Sequence, residues 1–335
     1  MTEQSKIPLP PEGKARSLFE RAEDLFGLEA FAAPPVPEGV AEPAVKRSSR
    51  KGPSVAAQPR PFDEVQVAPQ AAVPGIEISA AEPELAPIPL SGPRHAIDRA
   101  GLAEQGLILP DGKVTALLEE FRIVKRQLLL SARAARRSDA ASRAQRVLVC
   151  SPLPGEGKTF CATNLALAIA AEKDSEVLLV DADFAKPSIL STLGLPGGRG
   201  LMDALADPTI RAEECVIATD VPGLFVLPAG STSNSDSEFL ASGRTSEVLD
   251  RLTQGAPNRI VIFDSPPALA ASPAAELAKH VGQALVVARA DLTGQSALED
   301  ALTLLSACPD IKLLLNAAHF SPSGRRFGTY YGYGE

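Results

Sequence analysis

Ser151-Pro-Leu-Pro-Gly-Glu-Gly-Lys-Thr159 brings together the residue types that can hold a chain of phosphates. Gly155 and Gly157 let backbone N–H groups close around phosphate oxygens, and a helix starting directly behind them adds the partial positive charge of its N-terminus. Lys158 would reach the outer phosphates and Thr159 would ligate Mg²⁺. The residues that would touch a nucleotide are Pro154, Gly155, Glu156, Gly157, Lys158, Thr159 and Phe160. Pro152 stands where the usual pattern of such loops has its first glycine.

The flanks decide whether this turn is more than a turn. Arg146-Val-Leu-Val-Cys150 is a short, β-branched apolar run of the kind that forms a buried strand, and Phe160 to Ala171 has helix-forming composition and spacing. Two further carboxylate motifs follow the same design. Val177-Leu-Leu-Val-Asp-Ala-Asp183 and Arg259-Ile-Val-Ile-Phe-Asp264 each run an apolar strand into aspartate, and Pro266-Pro267 forbid continuation of the second. Ligand sites of open parallel sheets lie at such carboxyl ends. One aspartate after a strand is often only a helix cap or a turn former. Three of them, in a chain that carries the phosphate loop, point to a metal and nucleotide site in which Asp264 meets Mg²⁺ directly or through a neighbour.

Alternating strand-like and helix-like pieces around these motifs predict an α/β fold, a doubly wound and mainly parallel sheet with helices on both faces. Besides the three strands already named, Gly223–Pro228, Gln283–Ala288 and Ile311–Asn316 read as strands. Thr115–Ala135, Glu238–Gln254, Ala274–His280 and a stretch near Ser296–Ser306 read as helical. On Thr115–Ala135 the apolar side carries Leu117, Leu118, Phe121, Val124, Leu128 and Leu129. Glu119, Glu120, Arg122, Lys125 and Arg126 form its polar side.

Ahead of this domain, expected over residues 95–326, lies a different composition. Residues 1–31 contain an amphipathic helix between Ala15 and Phe31. Residues 32–94 form a Pro/Ala-rich linker expected to be disordered, and 13 of the chain's 30 prolines fall between Ala32 and Pro93. Its basic run Lys46-Arg-Ser-Ser-Arg-Lys51 reads as a solvated stretch rather than a lipid-binding patch. A formal net charge of −8 over 335 residues argues against nucleic acid as the main partner. No apolar run reaches the roughly eighteen residues of a membrane helix, and the N-terminus lacks the layout of a secretory signal, so a cytoplasmic chain is expected. Cys150, Cys161, Cys215 and Cys308 are scattered without metal-ligand spacing, which predicts reduced thiols and no zinc.

All three tyrosines, Tyr330, Tyr331 and Tyr333, sit in the last six residues of a glycine-interleaved tail, residues 327–335. A packed core has no use for aromatic rings placed there, whereas a phosphate acceptor needs an exposed phenol on a mobile segment. A tail that docks on a partner or on the domain itself is the competing reading.

From about Thr115 to the C-terminus the chain resembles the bacterial tyrosine autokinases of exopolysaccharide and capsule biosynthesis, in the version found in exosortase-associated loci, a P-loop family related to the partitioning ATPases. The resemblance rests on the phosphate loop, on Leu178-Leu-Val-Asp-Ala-Asp183, on Ile262-Phe-Asp-Ser-Pro-Pro267 and on the tyrosine tail. Glu119-Glu-Phe-Arg-Ile-Val-Lys-Arg126 resembles the family's subunit-contact helix, with Lys125 in place of its last arginine. The early lysine of the partitioning branch is absent, Leu153 standing there. The resemblance implies transfer of the γ-phosphoryl of ATP, with Mg²⁺, to Tyr330, Tyr331 and Tyr333. Lys158, Asp181 and Asp183 would be catalytic, Asp181 as the base. Thr159, Asp181, Asp183 and Asp264 form the candidate metal set, with roles that could permute among the aspartates. It further implies a homo-oligomer that solves the reach of a tail into a site, an inner-membrane activator of the polysaccharide chain-length-determinant type, peripheral membrane location through that partner, and a phosphotyrosine phosphatase. A partitioning-type ATPase switch and a nucleotide-binding scaffold without kinase activity are the rival functions.

Overall fold

The computed structural model describes residues 86–90, 92–135, 141–233 and 235–318. The amphipathic helix expected before residue 31, nearly all of the expected linker and the tyrosine tail lie outside the described residues.

Among the described residues eight strands form one sheet: β1 (Arg94–His95), β2 (Arg146–Cys150), β3 (Glu176–Asp181), β4 (Ile217–Thr219), β5 (Leu224–Leu227), β6 (Arg259–Asp264), β7 (Gln283–Arg289) and β8 (Ile311–Asn316). Their order across the sheet is β1-β4-β5-β3-β6-β2-β7-β8. Every pairing is parallel except that of β4 with β5. The sheet is thus mainly parallel, as the alternating pattern predicts.

Side chains alternate across each strand, and here both faces are covered, which is why the central strands read as unbroken apolar runs. Val147, Val149, Val177, Leu179, Ile260, Ile262, Leu285 and Val287 belong to one core layer, together with residues of α2 (Ala116–Ala134) and α4 (Lys158–Ala170). Leu148, Cys150, Leu178, Val180, Val261, Phe263 and Val286 belong to the other. That second layer is closed by α6 (Leu201–Ala206), α7 (Asp236–Leu240), α8 (Gly243–Thr253), α9 (Pro273–Ala278) and α10 (Gln295–Leu304). Short helices α1 (Arg99–Glu104), α3 (Ala141–Ala144) and α5 (Ile189–Leu193) fill the connections.

Two helices differ from their sequence reading in ways that bear on the site. The helix behind the phosphate loop begins at Lys158, two residues before the apolar pattern starts, so Lys158 and Thr159 sit in its first turn. Everything on it from Cys161 to Ala170 is buried, the polar Thr163 and Asn164 included, so it is covered all round rather than on one face. On α2, Lys125 does not join the polar face. Phe121, Lys125, Leu128 and Ala132 form the buried stripe. The lysine stem lies in the core and Nζ reaches the carbonyl of Ala168 at 2.8 Å and Glu172 at 2.7 Å, near the C-terminus of α4. The placing of Lys125 on the polar side is thereby corrected; Arg126 beside it is exposed.

The stretch read as one helix from Glu238 to Gln254 is two, α7 and α8, broken at Ala241-Ser242. Folded structure also begins earlier than His95: Leu90 is buried, and Arg259 donates to the carbonyl of Ile88.

Candidate nucleotide and phosphoryl-transfer site

Strand order is what assembles the chemistry. β3, β6 and β2 are neighbours, and the pairing registers Asp181 opposite Asp264 and Asp264 opposite Val149, just ahead of the phosphate loop. Three sequence-distant motifs therefore end at one edge of the sheet, where a parallel α/β fold leaves its crevice.

The loop itself bends through Gly155 and Gly157, both in the left-handed region with φ +79° and +93°. Gly157 has a second reason to be glycine, since a Cβ there would meet Nδ2 of Asn316 at 2.2 Å. Behind it the first-turn N–H groups of α4 have no intrahelical acceptors, which is the general property that makes helix N-termini anion sites.

Lys158 Nζ lies 3.0 Å from Asp183 Oδ2, and both side chains are largely buried. The Thr159 hydroxyl donates to Asp264 Oδ2 at 2.6 Å. Asp264 is fully buried, and that burial pushes its carboxyl up to about 7. Asp181 is raised by burial too, against the opposing effect of the Ile189 and Ser188 N–H groups, which donate to its Oδ2 at 2.9 Å each. Among the described residues, Oδ1 of Asp181 and Oδ1 of Asp264 are buried with no hydrogen-bond partner. Buried carboxylate oxygens without donors are costly, so their presence on one edge marks places where a ligand belongs.

These oxygens fit a magnesium ion: the donors are hard, all-oxygen and partly uncommitted. They do not form a finished cage. Among the described residues no three His, Cys, Asp or Glu side chains come together to hold a metal by themselves. That suits an ion bound by one or two protein oxygens plus substrate phosphates. Of the candidate metal set, Thr159 and Asp264 are already joined. Asp183 is engaged by Lys158, and Asp181 holds the start of α5 through its other oxygen.

Glu156 can meet a nucleotide only through its backbone N–H. Its side chain is buried and turns inward. Oε2 accepts from the Leu153 N–H at 2.8 Å, Oε1 accepts from the Thr293 hydroxyl, and the Glu156 carbonyl accepts from Asn316 Nδ2 at 2.9 Å. Arg289 Nη1 meets the carbonyl of Gly155 at 3.3 Å. Pro154 is exposed at the loop tip, and Phe160 is half-buried against the α4 side of the core. Arg289, Thr293 and Asn316 were not singled out from the sequence. Asn316 had a signal, a polar residue ending an apolar strand; the other two had none.

Four free cysteines are all buried, and burial pushes the thiols of Cys150 and Cys161 up to about 12. Among the described residues no helix is long and apolar enough to cross a membrane.

A phosphate loop between a central parallel strand and a buried helix, faced by aspartates at the ends of adjoining strands, defines the P-loop nucleotide-binding class. No protein-family model matches the sequence. The tyrosine-protein kinase Ptk of Acinetobacter johnsonii is 31% identical over 160 residues, covering 48% of this chain and 21% of that protein. Tyrosine-protein kinase YwqD of Bacillus subtilis is 32% identical over 162 residues, covering 48% of this chain and 67% of YwqD. The kinase domain of the Escherichia coli tyrosine kinase ETK shares the fold, with a TM-score of 0.53 at 22% identity over 69% of this chain and 98% of that domain. The chain belongs to the bacterial tyrosine-protein kinases. It spans about a fifth of the length of relatives such as Ptk.

Proposed function

We propose that this chain is an ATP-dependent protein-tyrosine autokinase that phosphorylates Tyr330, Tyr331 and Tyr333 of its own C-terminal segment and thereby regulates exopolysaccharide biosynthesis. The observation that carries the reading is the meeting of Lys158 and Thr159 with Asp183 and Asp264, while oxygens of Asp181 and Asp264 stay unpartnered.

In this reading Lys158 exchanges Asp183 for the outer phosphates when ATP enters, and the backbone around Gly155 and Gly157 wraps the phosphate chain. Thr159 and Asp264 would hold a Mg²⁺ ion bound with the nucleotide, which would neutralise charge on the transferring group. The phenolic oxygen forms the new bond to the γ-phosphorus as the bond to the β–γ bridging oxygen breaks, and ADP leaves with that electron pair. A phenol with pKa of about 10 is a weak nucleophile at neutral pH, so its proton needs an acceptor. Asp181 Oδ1, buried and uncommitted, is the proposed one. Held by two N–H groups through Oδ2, this carboxylate keeps its orientation without help from substrate.

The family supports a homo-oligomer, an inner-membrane activator of the chain-length-determinant type that brings the chain to the membrane, and a phosphatase that resets the tail. The test is intact mass of the full chain after incubation with Mg-ATP, with and without the cytosolic segment of such an activator. Phosphate additions are expected in the wild type and absent in Lys158→Met and in the triple variant Tyr330→Phe, Tyr331→Phe, Tyr333→Phe. Additions that persist in the triple variant, or none in the wild type while ATP is bound, would overturn the reading.

A further inference from the structure

The geometry points to Thr293 as a positioning residue for the phosphate loop, acting through Glu156 from the turn that follows β7. The inference rests on the reading of residues 151–159 as a nucleotide-binding loop, and it assigns a function to a residue outside that loop and outside the aspartate motifs.

The turn is built to present one hydroxyl. Arg289 ends β7, Asp291 takes a left-handed conformation with φ +61°, and the Leu292 and Thr293 N–H groups return to the Arg289 carbonyl. Closed this way, the turn lets the Arg289 N–H donate to Thr293 Oγ1 at 2.8 Å. Arg289 occupies one lone pair of that oxygen, and its single proton goes to Glu156 Oε1, which as a carboxylate oxygen can only accept. Glu156 is thereby held at both oxygens, by Leu153 N–H on its own loop and by Thr293 across it.

This matters to phosphate binding for an electrostatic reason. A carboxylate within the loop would repel the anion that the loop exists to hold, and at such range in a partly desolvated site the repulsion is large. Turned inward and holding one donor at each oxygen, Glu156 instead fixes the path from Leu153 to Gly157. Asn316 and Arg289 secure the carbonyls of Glu156 and Gly155 from the same side, which leaves the N–H groups free to face the ligand. Losing the Thr293 hydroxyl frees one oxygen of the carboxylate to seek other donors, among them the loop amides.

Binding of Mg-ADP to the full chain, read by titration calorimetry, tests this without relying on phosphoryl transfer. Thr293→Val is expected to weaken binding about tenfold, on the scale of one charge-assisted hydrogen bond, and to lower the nucleotide-free melting temperature by only a few degrees, so that the protein tested stays folded. Thr293→Ser should recover most of that affinity. Glu156→Ala should cost a similar factor, and adding Thr293→Val to it should cost little more, because the hydroxyl then has nothing to hold. In kinetics the Thr293→Val loss should fall on KM for ATP rather than on kcat. Wild-type affinity in Thr293→Val would overturn the inference, as would a full additive loss in the double variant or failure of serine to rescue. A wild type that binds Mg-ADP normally but transfers no phosphate would refute the kinase reading and leave this one standing.

Discussion

The two ends of the central strands treat buried charge in opposite ways. At the N-terminal ends of β2 and β6, Arg146 and Arg259 are almost wholly buried, and their guanidinium groups are occupied. Arg259 donates to Glu176 at 2.9 Å, to the carbonyl of Leu252 at 2.9 Å and to that of Ile88 at 3.0 Å. Arg146 reaches Asp250, Thr253 and the His280 carbonyl, leaving only its Nε without a partner among the described residues. At the C-terminal ends of β3 and β6 the buried charges are carboxylates, and each keeps an oxygen idle. The first arrangement ties loops to the sheet. The second holds anionic oxygens in readiness, which only an incoming ligand relieves.

Breaking the C-terminal end should show in rate and not in stability. Asp264→Asn keeps an acceptor for the Thr159 hydroxyl and removes an unpaired buried charge. Tyrosine phosphorylation under saturating Mg-ATP is expected to fall on the order of 10³-fold, while the nucleotide-free melting temperature stays level or rises. A large drop in melting temperature would mean that Asp264 belongs with the structural charges. Asp181→Asn comes next. Its oxygen can still accept from Ser188 and Ile189, so folding and ATP affinity should hold while kcat drops about 10²-fold, the range of a lost general base. Titration of ATP against rate separates the two parameters, and a change confined to KM would remove Asp181 from the proton-transfer step.

At the other end the pattern should invert. Arg259→Met leaves the carbonyls of Leu252 and Ile88 without their donor, at a cost of about 2 kcal/mol. Chemical denaturation should register the loss, and kcat of the protein that remains folded should match the wild type. A selective loss of rate with stability intact would break the division between the two ends.

How much of this could be read in advance follows from how local each feature is. The phosphate loop is contiguous, and Asp181, Asp183 and Asp264 each stand right after a buried strand, so their meeting needed only strand adjacency. Asp264 pairing with both Asp181 and Val149 was a matter of strand order, which alternation constrains but does not write down. The inward turn of the Glu156 side chain is not legible in the sequence because its partners Thr293 and Asn316 lie 137 and 160 residues away. Nothing near Glu156 tells an inward from an outward carboxylate. β1 and β4, two and three residues long, are too short to carry a period. Lys125 was assigned to solvent by its charge, whereas its long stem follows the apolar stripe and only Nζ is polar.

That lysine supplies the smallest and most discriminating test, because it extends the comparison along a single helix. The N-terminus of α4 is left open toward the phosphate loop. Its C-terminus is closed: Ala171 and Glu172 N–H groups take the carbonyls of Leu167 and Ile169, and Lys125 takes that of Ala168. A cation there also opposes the negative end of the helix dipole. Lys125→Met preserves the buried stem and deletes only the charge and its hydrogen bonds. The expected cost is about 1 kcal/mol, a fall of roughly 2–4 °C in melting temperature for a domain of this size. Mg-ADP affinity should stay within twofold, since the open end of the helix lies two to three turns away and dipole effects fade within one. Arg126→Ala, on the exposed neighbour, should move neither in the monomer. If instead Lys125→Met weakened nucleotide binding by the factor expected for Thr293→Val, the closed end of α4 would be coupled to the open one, and the separation between structural and functional charge would have to be drawn across the helix.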